Sequence, residues 1–145
     1  MGLRFKSVPN YSRMKEDFKR EVVRELKVFG MDAKEEIITQ TGKGLDYQGR
    51  SFVGYTPRYK KFKAGLGRNV SRPDLRLSTS GGMLSTIQYE VIERGSRVIL
   101  KLNFASNFSA LKALGNMRTR EFFAISRKSG KDFLDRMTNV FRRLK

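Results

Sequence analysis

The stretch Ile87-Gln-Tyr-Glu-Val-Ile-Glu-Arg-Gly-Ser-Arg-Val-Ile-Leu-Lys-Leu-Asn-Phe104 alternates in two runs. Ile87, Tyr89 and Val91 alternate with Gln88 and Glu90, and Val98, Leu100, Leu102 and Phe104 alternate with Arg97, Lys101 and Asn103. A period of two puts one apolar set on one face of a strand, and Arg94-Gly95-Ser96 turns the chain between the runs. The pattern predicts an antiparallel hairpin over residues 86–104 with a single apolar face.

Helical periodicity flanks it. Met14, Phe18, Val22, Leu26, Phe29, Ala33 and Ile37 recur every three or four residues, which predicts one long amphipathic helix over 12–40. Ser12 reads as its N-cap. Gly30 interrupts the stripe at a cost of about 1 kcal/mol relative to alanine, so a kink or break is expected there. Residues 107–114 read as a short helix closed by Gly115 at the C′ position. Ser129-Gly-Lys-Asp132 resembles a capping box and opens a helix over 129–144 with Phe133, Met137, Val140 or Phe141, and Leu144 on one face. That face is expected to pack against the hairpin or a neighbouring subunit.

Between the long helix and the hairpin the periodicity dissolves. Residues 42–76 hold Gly42, Gly44, Gly49, Gly54, Gly65 and Gly67 with Pro57 and Pro73. A short strand is expected at Ser51–Tyr55, a helical turn or two at Pro57–Ala64 and another short strand at Leu75–Leu77. The whole is a single α+β domain over 1–145: a small antiparallel β-sheet with a long N-terminal helix and a C-terminal helix packed on it, plus a long Gly-rich basic loop. A chain of 145 residues with 11 Phe is long enough to bury a core.

The formal net charge is +17, and its distribution is uneven. Residues 12–37 carry seven basic and seven acidic side chains, 43–76 nine basic against two acidic, and 118–145 nine basic against three. Such a surface attracts a polyanion, whether nucleic acid or an acidic protein ring. Arg58, Lys60, Lys61, Lys63, Arg68 and Arg72 are the candidate site, a basic loop facing either DNA or a neighbouring ring. Within Arg58-Tyr-Lys-Lys-Phe-Lys63, interleaved aromatics and cations suit base stacking with phosphate contact. The favoured alternative has Tyr59 and Phe62 covering the core while the lysines stay in water.

Chemistry is thinly represented. The chain has no His, Cys or Trp, so nucleophile–base pairs of the common kind and thiolate metal sites are missing. The acids cluster on the first helix at solvent positions, and neither glycine pair, Gly42-Lys-Gly44 or Gly65-Leu-Gly67, has phosphate-loop spacing. No enzyme activity, cofactor, metal or small-molecule substrate is expected. No apolar run is long enough to span a membrane, and the N-terminus lacks a signal-peptide apolar region.

Several segments carry a resemblance. Asp46-Tyr-Gln-Gly-Arg-Ser-Phe52, Leu77-Ser-Thr-Ser-Gly-Gly-Met-Leu-Ser-Thr-Ile87 and Arg120-Glu-Phe-Phe-Ala-Ile-Ser126 are similar, in this order after a long helix, to segments of the tailed-phage virion-morphogenesis and tail-completion (head–tail joining neck) protein family. Pro57 to Lys63 sits where the family has a Tyr/Lys-rich helical stretch. Many members have His before Gly ahead of the Arg-x-Phe segment, where this chain reads Ala113-Leu-Gly115. The resemblance implies a non-enzymatic structural protein of the virion, made in the bacterial host cytoplasm. It would form a homo-oligomeric ring at the head–tail junction or tail end, through which DNA passes. Its partners would be copies of itself, the connector or portal-side and tail-side proteins, and packaged DNA through non-specific contact. The alternative reading is a stand-alone basic nucleic-acid-binding protein. Balanced charge on the hairpin, Arg94, Arg97 and Lys101 against Glu90 and Glu93, speaks for the structural reading.

Overall fold

The computed structural model describes residues 11–67 and 82–144. Its elements are α1 (Tyr11–Gly42), α2 (Pro57–Gly65), a 3-10 turn (Met83–Thr86), β1 (Ile87–Arg94), β2 (Arg97–Phe104), α3 (Asn107–Met117) and α4 (Arg127–Arg143). This is an α+β arrangement built on a two-stranded antiparallel sheet. The Leu75–Leu77 strand expected from the sequence lies outside the described residues.

The hairpin pairs Ile87 with Phe104, Tyr89 with Leu102, Val91 with Leu100 and Glu93 with Val98. All seven apolar positions of the alternating pattern therefore share one face. Gly95 has φ +58° at the first of two loop positions, where a type II′ hairpin turn requires a left-handed residue. On the other face Lys101 reaches Glu90 at 3.3 Å.

Helix α1 spans 32 residues, about 48 Å at 1.5 Å per residue. It already includes Tyr11, so Ser12 sits inside the helix instead of capping it. Gly30 does not end it, and the helix runs on unbroken to Gly42. A Cβ at this position would stand 2.6 Å from Tyr89 Cδ2 and 2.8 Å from Leu100 Cδ1. The glycine lets the helix backbone rest directly on the hairpin. At the hairpin tip, Lys19 adds an ion pair to Glu93 at 2.7 Å.

Helix α4 crosses α1 in the antiparallel sense. Phe18 meets Phe141 at 4.7 Å between ring centroids, and Phe29 stacks on Phe133 at 4.5 Å. Arg136 reaches Asp32 at 3.3 Å and Glu25 at 3.6 Å, and Ser129 Oγ donates to Glu36 Oε2 at 2.6 Å. The expected partner of this face was the hairpin or another subunit. The partner is α1, because α1 itself covers the hairpin's apolar side. The cap also moves: Ser126 Oγ accepts from Ser129 N, so α4 starts one turn before the predicted box.

Helix α3 is capped by Ser106 and continues through Gly115 to Met117 instead of stopping at Leu114. The extension brings Met117 against the main core, which gathers Ile37, Phe52, Met83, Leu84, Ile87, Ala113 and Phe122 at the C-terminal end of α1. No strand forms at Ser51–Tyr55. Leu45 and Ser51 make an isolated bridge, and Asp46 N donates to Arg50 O, tying residues 45–51 into a tight loop.

Gly30→Ala separates helix propensity from packing. Propensity alone would stabilise the variant by about 1 kcal/mol, but overpacking against Tyr89 and Leu100 should instead cost about 1–3 kcal/mol. Urea denaturation should show a lower midpoint with an unchanged slope. An equal or higher midpoint would show that α1 does not bear on the hairpin at this point.

Candidate functional site

Helix α2 starts with Thr56, whose Oγ1 accepts from Tyr59 N, and with Pro57 at the first helical position, where its missing N–H costs nothing. Arg58, Lys60 and Lys61 point outward and are exposed. Arg68 and Arg72, the other outlying members of the predicted basic loop, lie outside the described residues.

The expectation for this helix is inverted. Tyr59 and Phe62, read as core-covering, are 44% and 60% exposed, whereas Lys63 is 4% exposed. Lys63 is therefore not part of the exposed charge of this helix. Its Nζ donates to Tyr55 Oη at 2.8 Å and lies 4.5 Å from the centre of the Tyr55 ring. The buried Tyr55 ring also takes the Arg120 guanidinium, at 5.1 Å from Cζ to centroid. Two cations thus share one aromatic ring, which attracts both through its quadrupole. This cluster was not legible beforehand, since Lys63 is one cation among four in six residues and Arg120 lies far away in sequence.

Beside the cluster, Asp46 organises the loop. Its Oδ1 accepts from Gln48 N at 2.8 Å and Arg50 N at 2.9 Å, and its Oδ2 accepts from Arg50 Nε at 2.8 Å. Burial pushes the Asp46 carboxyl upward. The bonds from the Arg50 backbone and side chain and from Gln48 outweigh it, and the group is held below the usual carboxylate range. Gly49, at φ +80°, permits the turn. Tyr47 N donates to Glu121 O, which docks the loop on the segment after α3. Phe52 and Phe122 then enter the core from the two sides.

The cluster holds donors and aromatic faces but no nucleophile–base pair. Among the described residues, no group of three His, Cys, Asp or Glu side chains is placed to hold a metal ion. No helix among them is long and apolar enough to cross a membrane.

Two measurements check this reading. A carboxyl whose pKa is lowered by folding stabilises the protein above the unfolded value of about 3.9 and loses that contribution as pH falls through the folded value. Asp46→Asn should therefore lower stability at pH 7 and flatten the loss on acidification; parallel pH profiles for variant and wild type would refute the role. At the ring, Tyr55→Phe should cost about 1–3 kcal/mol by stranding the Lys63 ammonium, but far less in a Lys63→Met background. Equal costs in both backgrounds, measured by urea titration, would show that the bond contributes nothing.

The chain matches no protein-family profile, no characterised protein and no solved structure.

Proposed function

We propose that the protein is a structural component of a tailed-phage virion, of the neck or tail-completion type, which assembles as a ring around the path of the DNA. One observation carries the reading beyond motif resemblance. Three of the segments that resemble this family are separated by 24 and 32 residues, and Phe52, Met83, Leu84, Ile87 and Phe122 from them meet in a single core. In this fold the segments of the resemblance lie side by side, as the parts of one structural signature would.

The distribution of exposed groups supports the same role. Arg58, Lys60 and Lys61 stand in solvent on α2, beside the exposed Tyr59, Phe62 and Leu66. A projecting basic element suits the lining of a DNA conduit, where contact with phosphates must be indifferent to sequence. The outward turn of Tyr59 and Phe62 among cations favours a second reading, a stand-alone binder of single-stranded nucleic acid that stacks bases on those rings.

Cryo-electron microscopy of particles tests the first reading: a ring of copies at the neck or tail end is expected, and particles lacking the protein would overturn it. The α2 charges are tested by replacing Lys60 and Lys61 with Gln. The salt dependence of DNA binding should flatten by about two in log–log slope, about 0.9 per lost phosphate contact, with the fold unchanged. An unchanged slope would remove α2 from the DNA path. Loss of single-strand binding in Tyr59→Ala and Phe62→Ala, together with absence from particles, would favour the second reading.

A further inference from the structure

A surface groove of about 290 Å³ opens between the loop around Asp46 and residues 118–121. Its charges are not balanced locally. Both of its carboxylates face one arginine, since Asp46 is bonded to Arg50 and Glu121 lies 3.9 Å from the same guanidinium. Arg118 and Arg120 line the groove too, and among the described residues neither has a carboxylate within ion-pair reach. Among the described residues, Arg120 Nε is buried without a hydrogen-bond partner. The same Tyr55 ring also holds the ammonium of Lys63, which is 4% exposed and, among the described residues, hydrogen-bonded to a phenol instead of an acid.

A buried donor without an acceptor is costly, and a buried cation without an anion more so. Aromatic faces offset part of this cost but do not neutralise charge. The missing component is a compact anion with several acceptor oxygens. We infer that the groove is an oxyanion site that takes a phosphate group, with Arg118 and Arg120 as its donors and Lys63 as a fixed positive charge on the ring shared with Arg120. A guanidinium fork matches two oxygens of one phosphate, and a tetrahedral dianion leaves oxygens for the second arginine. The phosphate comes either as the free ion or as the backbone of a nucleic acid, and the donors required are the same. The site stands whatever larger assembly the protein enters, so particles without a ring would leave it untouched.

The test follows the arginine Nε–Hε resonances of the ¹⁵N-labelled full chain during titration with inorganic phosphate, against sodium chloride at matched ionic strength. The Arg120 resonance should shift saturably with phosphate and not with chloride. Arg118→Gln, at an exposed position that the fold does not need, should weaken the apparent affinity about tenfold. Lys63→Met should weaken it while leaving the rest of the spectrum in place. Arg143→Gln, at the far end of α4, should change nothing. A short oligothymidylate that saturates the same resonance at much lower concentration would identify nucleic-acid backbone as the source; saturation by inorganic phosphate alone would identify the free ion. Absence of a saturable shift, an equal response to chloride, or undiminished affinity in Arg118→Gln would overturn the proposal.

Discussion

Helix α1 rests on the hairpin at a point where residue 30 has no side chain, and the remaining packing is arranged around that contact. Tyr89 and Leu100 occupy the space a Cβ would need, so the two elements approach at backbone distance. Two strands alone are marginal in water. A helix pressed onto their apolar face supplies the missing burial. Once α1 is seated, its other side is free for α4, and the aromatic pairs Phe18–Phe141 and Phe29–Phe133 follow in antiparallel order. Its C-terminal end then delivers Ala33 and Ile37 into the buried interior. A glycine that is poor for the helix taken alone is required for the helix in place.

The end of α1 is also where irregular chain is made rigid. Residues 42–52 have almost no ladder to satisfy their backbone groups, so side chains and neighbouring carbonyls do it. Asp46 takes two backbone N–H groups and one guanidinium, and Tyr47 N finds Glu121 O. Such satisfaction allows a loop to sit against a core without leaving buried groups unpaired. It also sets the wall of the groove in which Arg118 and Arg120 lie.

Helix α2 departs from the usual partition of polar and apolar groups. It turns Phe62 outward and Lys63 inward, an arrangement that hydrophobic burial by itself opposes. The Tyr55 ring and hydroxyl make the inward cation tolerable, and Arg120 adds a second charge to the same ring. This concentration of charge on one ring is the observation from which the proposed anion site is argued. On its outer side the helix leaves Tyr59 and Phe62 exposed among Arg58, Lys60 and Lys61.

The sequence by itself determined the elements whose signal is local. The hairpin and its register follow from strict alternation around Gly95, α1 and α4 from apolar stripes at helical spacing, and the α+β class from their combination. Terminus details were less legible, because serine suits a cap at either position, and in the fold Ser126 caps α4 while the Ser129 hydroxyl turns to Glu36. Gly115 reads as a stop, yet the core's need for Met117 carries α3 past it. Tertiary structure alone decided that Gly30 is a contact and not a helix end, that α4 lies on α1, and that Lys63 is inside. Each depends on a side chain outside its own helix: Gly30 and α4 on residues far along the chain, and Lys63 on Tyr55, which precedes α2 and reverses the helix's expected faces. Periodicity reports which residues share a face; it carries no information on which neighbour that face will meet.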